Sequence, residues 1–433
     1  MTITHKIRLW PNNRQATYLS RCCGVARFAY NWGLAKWNEQ YEAHKADPDN
    51  APQPNQYSLR KELNAIKHSD FPWMSEVTKY APQQALINLG KAFGGFFKAK
   101  REGRAVPIIR NGKPTGRLKY EPQFKCKGKH DCFYIGSDQI AVDGDMVKIP
   151  GLARFMGGRN ELGRVRMAEH LRYDGAKIMC AVVSRTADKW FIAITCEVPG
   201  APQGHDQEKI GVVGIDIGVG EYVTSDGEYH AVPRAYRRAM RQLKRAQQSL
   251  CRKVKGSRNR WRQKQRIARI HARIANVRGD WLHKLSSGIT KKYKTVVLED
   301  LNVKGMSKNR HLAVSVTDAA FGEFRRQIEY KSKLNGCEVV FADRWFPSSK
   351  TCSQCGKVKA KLSLSERTFR CDGCGFVCHR DLNAALNLKN LAASSAVTAC
   401  GEFSASAPGP SRIASSLNEA GRKRHSKPLA RIG

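Results

Sequence analysis

The chain has 433 residues, too many for one ordinary core, which implies roughly two to four domains. Lysine and arginine outnumber aspartate and glutamate 76 to 37, and a formal net charge of +39 exceeds what solubility needs, pointing to nucleic-acid phosphate as the partner. No apolar run reaches the ~18 residues of a membrane helix, and MTITHKIRLWPNN lacks the apolar core and small-residue cleavage site of a secretory signal, so the expectation is a cytoplasmic protein with no membrane attachment.

Ile3 to Leu9 reads as a first strand. After Pro11, residues 14–41 carry Leu19, Val25, Phe28, Trp32 and Leu34 at helical spacing. DPDNAPQPNQY (47–57) is a loop, and helices resume at 59–66 and 82–97, making a helical insert of about 12–103. From Phe124 to Val198 the texture becomes short alternating runs, with a hairpin-like pair at 178–183 and 190–198. The expectation for 1–205 is a small, wedge-like β-barrel interrupted by that insert.

From Lys209 the pattern is α/β: IGVVGIDIG as a strand, EYVTSDGEYHAV as a hairpin, and TVVLEDL (295–301) as a buried strand. Between them, 234–278 holds 17 Lys/Arg and no Asp or Glu. Tyr236, Met240, Leu243, Leu250 and Val254 precede Gly256, and Trp261, Ile267, Ile270, Ile274 and Val277 follow it. That spacing predicts two basic helices joined at the glycine, packing by their stripes and facing phosphate with the rest. This unit runs 206–390, and the small-residue, basic stretch 391–433 has too little apolar content for a core and reads as disordered.

Two constellations carry chemistry. Cys352-x-x-Cys355, fifteen residues, then Cys371-x-x-Cys374 can supply four thiolates tetrahedrally to one structural Zn²⁺ with no open position, giving a ribbon at about 348–377. The other cysteines, such as Cys22, Cys23, Cys126, Cys132, Cys180 and Cys196, read as free thiols of a reducing compartment. Asp216 lies in GIDIG, whose glycines permit close approach by a ligand; Glu299 ends TVVLE, and Asp381 opens a predicted helix in HRDLNAALNL. Taken singly, these are a turn former, a solvated strand end and a helix N-cap. Together they suit two Mg²⁺ or Mn²⁺ ions about 4 Å apart, the arrangement for phosphodiester hydrolysis.

KIRLWPNNRQ with ARFAYNWGLA, FKCKGKHDCFY with VKIPGLARF, and GIDIG, DWLHKLS, VVLEDL, DRWFPSSKTCSQCG and RDLNAALN resemble TnpB, the transposon-encoded RNA-guided nucleases ancestral to type V CRISPR effectors, over most of the chain. The resemblance implies an α/β multidomain protein whose carboxy-terminal RNase H-like RuvC domain carries an inserted zinc ribbon. Asp216, Glu299 and Asp381 would be its metal ligands, none of them substituted. It also implies a protein that takes a guide RNA derived from the transposon end and cleaves double-stranded DNA beside a short motif; the sequence does not give the oligomeric state, for which a monomer is the favoured reading. VTKYAPQQAL resembles a helix that contacts that motif, giving Lys79, Gln83 and Gln84 this role, with Pro82 where the family has an apolar residue; His379 stands where it often has aspartate. Tyr57, Tyr80 and Phe93 could stack on bases, though packing is the favoured reading, and Arg237, Arg241, Lys244, Arg245 and Arg344 are further candidate contacts. Two alternatives stay open: a compact type V effector with a separately encoded guide, and a nuclease-silent guided regulator.

Overall fold

A computed structural model describes residues 2–110, 113–173, 175–198, 209–363 and 365–400. The chain begins with β1 (Thr2–Trp10), whose alternation buries His5, Ile7 and Leu9. Asn12 then starts α1 (Asn13–Ala46) with a reciprocal cap: its side chain accepts from the Gln15 N–H at 2.9 Å while Gln15 Oε1 accepts from the Asn12 N–H at 3.0 Å. α2 (Gln56–Ile66) and α3 (Tyr80–Arg101) follow, and Trp37 of α1 stacks on Phe93 of α3 at 4.3 Å. Phe93 and the adjoining aromatics therefore pack, as the favoured reading had it. Pro82 occupies the third position of α3, where its missing N–H removes no helical bond.

A short exposed hairpin, β2 (Pro107–Arg110) and β3 (Lys113–Leu118), leads to β4 (Cys132–Gly136), β5 (Ala141–Asp143), β6 (Met146–Lys148), α4 (Leu152–Met156), β7 (Arg164–Met167), β8 (Lys177–Thr186) and β9 (Lys189–Glu197). Seven strands form one antiparallel sheet in the order β4-β8-β9-β1-β7-β6-β5. The expected barrel is corrected here: among the described residues β4 and β5 are free edges and the sheet is open. Its apolar face is not enclosed by its own strands but covered by α1 and α3, because Ile7, Ile135, Ile192 and Ile194 share one core with Leu19, Leu34, Leu86 and Leu89.

The second half starts with β10 (Ile210–Ile217), β11 (Glu221–Thr224) and β12 (Tyr229–Ala231), then α5 (Ala235–Cys251) and α6 (Arg258–Lys292). β13 (Tyr293–Glu299), α7 (Val303–Lys308), α8 (Ala313–Ala319), α9 (Phe321–Asn335) and β14 (Glu338–Ala342) come next. The five strands order as β12-β11-β10-β13-β14, parallel across β10, β13 and β14 and antiparallel at β11 and β12. β15 (Thr368–Arg370) and β16 (Val377–His379) pair within the cysteine-rich segment, which delivers the chain into α10 (Arg380–Cys400). α6 and α9 bury Leu282, Ile289, Phe324 and Ile328 against Val213, Ile215 and Leu298 on one sheet face. α10 covers the other, where Leu388 meets Val297 and Ala342.

The basic helices are present as α5 and α6, joined by a turn in which Gly256 takes φ +86°. Their shared stripe is Leu243, Ala246, Ile270 and Ile274, whereas Met240, Val254, Trp261 and Val277 of the expected stripe are exposed. α6 also continues past 278 to Lys292, because Leu282, Leu285 and Ile289 prolong its apolar face onto the sheet. Arg234, at φ +50°, offers α5 no side-chain cap; Asp318 of α8 instead accepts from the N–H groups of Tyr236 and Arg237 at 2.6 and 3.0 Å. An Arg269–Asp188 ion pair of 3.0 Å links the two halves. The segment expected to be disordered from 391 is helical to Cys400, and 401–433 lies outside the described residues. Among the described residues no helix is long and apolar enough to cross a membrane.

Candidate active site

Strand register and the crossing of α10 bring Glu299 and Asp381 near enough to Asp216 to act on its charge, although the three carboxylates do not close to within 4.8 Å of one another. Val212, Gly214 and Asp216 share the α10 face of β10, and the parallel pairing Ile215↔Leu298 sets Asp216 level with Glu299, the last residue of β13. Asp381 sits in the first turn of α10, which crosses β10 in close contact: a Cβ on Gly214 would overlap the Ala385 carbonyl oxygen and lie 2.5 Å from Lys389 N and 2.9 Å from Leu388 Cβ. This corrects the expectation that the GIDIG glycines admit a ligand. The backbone approaching Gly214 is that of α10, and a Cβ on Gly218 would lie 2.6 Å from the Glu221 carbonyl of the turn that follows.

Burial, then repulsion from Glu299 and Asp381, pushes the Asp216 carboxyl up to about 8, with Arg380 opposing. Asp381 Oδ2 lies 3.7 Å from Arg367, and Glu299 Oε1 accepts a hydrogen bond from Ser348 Oγ. Donor atoms of Asp381, His379 and Glu221 lie within 4.8 Å of one another, and the buried His379 Nδ1 has no hydrogen-bond partner. Sequence reasoning missed Glu221. Its only signal was its place at the start of the strand that returns from GIDIG.

The four cysteines converge: their sulfurs all lie within 4.8 Å, with Cys352–Cys374 at 3.7 Å and Cys355–Cys371 at 3.5 Å. Each pair is a turn closed by a glycine at positive φ, Gly356 at +73° and Gly375 at +72°, whose N–H returns to the carbonyl of the first cysteine at 2.9 and 3.2 Å. The amides of Cys374 and Gly373 hold the Cys371 thiol down at about 6. α10 grips the first turn with asparagines at i, i+4 and i+7. Asn383 accepts from Ser353 N at 3.0 Å and donates to Thr351 O at 2.6 Å, Asn387 donates to Ser348 O and Thr351 O at 2.7 and 2.6 Å, and Asn390 reaches Ser353 O at 3.2 Å. The helix that carries Asp381 is thus tied to the cysteine cluster.

The candidate nucleic-acid contacts are dispersed. Arg237, Arg241, Lys244 and Arg245 are exposed on α5. Lys79 and Gln83 line one cleft of about 320 Å³ with Arg60, Asn64, Lys67 and His68, Lys79 lying 3.4 Å from Asp138. Gln84 turns away and bonds Asn88 at 3.1 Å, whereas Tyr57 is 69% exposed, unlike the packed aromatics. Arg344 is committed within the chain: with Arg325 it clamps Asp300, holding that carboxyl below the usual range.

The chain is 37% identical over 406 residues to a Streptomyces pristinaespiralis protein named as an RNA-guided DNA endonuclease, covering 92% of this chain and 90% of that one. It is 30% identical over 417 residues to InsQ of Escherichia coli (strain K12), named likewise, covering 92% and 94%. The chain belongs to the TnpB family. Three family models match this TnpB-family chain: "Helix-turn-helix domain" over 1–46, "Probable transposase" over 193–310, and "Cas12f1-like, TNB domain" over 321–388. In the structure, residues 2–46 are a strand followed by one unbroken helix, so the first description does not fit their shape. A solved complex of Cas12f1 with sgRNA and target DNA is similar at 14% identity, with a TM-score of 0.48, covering 90% of this chain and 99% of that one.

Proposed function

We propose that this TnpB-family protein is an RNA-guided DNA endonuclease that hydrolyses phosphodiesters at Asp216, Glu299 and Asp381. The observation that carries the reading is the placement of three carboxylates, from β10, β13 and α10, near enough that Glu299 and Asp381 add their repulsion to the burial that pushes the Asp216 carboxyl up to about 8. A donor set of hard carboxylate oxygens with unbalanced repulsion fits Mg²⁺ or Mn²⁺. When bound, such cations supply activation of water and neutralisation of charge at the scissile phosphate. Asp216 would hold such a cation as the deprotonated carboxylate, beside Glu299, which accepts a hydrogen bond from Ser348, and Asp381, which α10 carries.

The mixed sheet order of residues 206–390 supports an RNase H-like RuvC domain, with 1–205 as the wedge-like unit carrying the helical insert. The Cys352, Cys355, Cys371 and Cys374 cluster suits one structural Zn²⁺, since four thiolates leave no open coordination position. The acid-free stretch 234–278, which spans α5 and α6 as far as Arg278, suits the backbone of a guide RNA paired to target DNA, and the cleft holding Lys79 and Gln83 has donors competent to read base edges in an adjacent duplex.

The test is reconstitution. The protein is purified from cells expressing its own locus, the bound RNA is sequenced, and a plasmid carrying the matching target is offered with and without Mg²⁺. Guide-dependent, Mg²⁺-dependent cutting is expected; absence of bound RNA, or cutting that ignores the guide, contradicts the reading.

A further inference from the structure

We infer that Ser348 is a positioning residue for Glu299, fixing which carboxylate oxygen is offered to a divalent cation. The inference rests on the reading of Glu299 as a metal ligand and adds to it a residue outside the acid triad.

Ser348 is 4% exposed and held at three points. Its hydroxyl donates to Glu299 Oε1, its N–H donates to Phe346 O at 2.8 Å, and its carbonyl accepts from Asn387 Nδ2 at 2.7 Å. Asn387, itself 5% exposed, belongs to α10, the helix that opens with Asp381. Ser348 therefore bridges the end of β13 to α10, with its backbone anchored through both its N–H and its carbonyl.

The consequence for Glu299 is geometric. A glutamate at a strand end has three side-chain torsions, and its place at the end of β13 does not by itself fix which carboxylate oxygen faces Asp216 and Asp381. With Oε1 occupied by a fixed donor, the torsions are set and Oε2 remains for ligation. Such hydrogen bonds to ligating carboxylates typically account for 10–100-fold in metal affinity or activity. The same bridge gives the cysteine cluster a route to the site, because Asn387 also holds Thr351, the residue before Cys352.

The experiment compares Ser348→Ala, Ser348→Thr and Glu299→Gln in the guide-bound complex. Mn²⁺ binding is followed by electron paramagnetic resonance, subtracting the complex lacking all three acids to remove ions held by RNA. Mg²⁺ dependence of cleavage, target binding and zinc content are measured alongside. Ser348→Ala is expected to weaken Mn²⁺ binding about 10–100-fold and raise the Mg²⁺ concentration for half-maximal cleavage by a similar factor, with target binding and zinc unchanged; Ser348→Thr, which keeps the hydroxyl, restores both. Wild-type Mn²⁺ affinity and Mg²⁺ midpoint in Ser348→Ala, with Glu299→Gln inactive, would overturn the inference alone. Loss of zinc or target binding without a shifted midpoint would overturn it too, by giving Ser348 a purely structural role. Unimpaired Mn²⁺ binding and cleavage in Glu299→Gln would remove the metal-ligand reading itself.

Discussion

Replacing Gly214 by alanine adds one methyl group, two residues from Asp216, at the point where α10 lies against β10. That methyl would overlap the Ala385 carbonyl oxygen and stand 2.5 Å from Lys389 N, both backbone atoms of a helix that cannot yield by a rotamer change. Relief requires α10 to lift from the sheet by on the order of 1 Å, at an overpacking cost of about 1–3 kcal/mol. Asp381 rides on that helix, and a displacement of ~1 Å at a reacting centre can cost ~10²-fold in rate. Gly214→Ala is therefore expected to lower single-turnover plasmid cleavage about 100-fold while the guide-loaded protein still binds its target. Gly211→Ala, on the same strand with open space around its Cβ, is the control. A wild-type cleavage rate in Gly214→Ala would refute the claim that close contact between α10 and β10 sets the position of Asp381.

Three further outcomes follow from the same geometry. Wild-type protein should carry one zinc per chain by elemental analysis, and Cys371→Ser should lose it together with cleavage, through the asparagine contacts to α10; a stable zinc-free variant with full activity contradicts this. Asp318→Ala removes the acceptor for two N–H groups of α5 and should cost about 1–2 kcal/mol, read as a lower Tm and faster hydrogen exchange in the first turn of α5; unchanged exchange there would show that the cap contributes nothing. In chelator, the folded state holds a proton on Asp216 up to about 8 against an ordinary value of 3.8, so between those values it binds more protons than the unfolded chain and loses stability as pH rises. From pH 6 to 9 the loss should be on the order of 2 kcal/mol, absent in Asp216→Asn and reversed by Mg²⁺; equal pH dependence in wild type and Asp216→Asn would count against it.

Much of this was legible locally. Two Cys-x-x-Cys turns, an acid-free 45-residue stretch broken by Gly256, and acids ending apolar strands are each written in a few consecutive residues. What was not legible is non-local. Nothing within GIDIG tells whether the backbone near Gly214 is a ligand's or that of a helix over 160 residues later in the chain. Strand texture in 124–198 cannot say whether a sheet closes, and here α1 and α3 take the face a barrel would have turned inward. Arg344 looked free for phosphate until Asp300 folded beside it, and the hydroxyl of Ser348 meets a carboxylate 49 residues earlier. The asparagines at 383, 387 and 390 could have been noticed, since their spacing is one helix face, but their partners could not.

The central claim is that Asp216, Glu299 and Asp381 act as one unit in cleavage. The most direct measurement is single-turnover cleavage by the guide-bound complexes of Asp216→Ala, Glu299→Ala, Asp381→Ala and the triple variant, with target binding measured in parallel. Residues that act as a unit are non-additive, so each single variant should fall to the same residual rate as the triple while still binding target. A single variant that cuts at the wild-type rate, or losses that sum stepwise to that of the triple, would contradict the account.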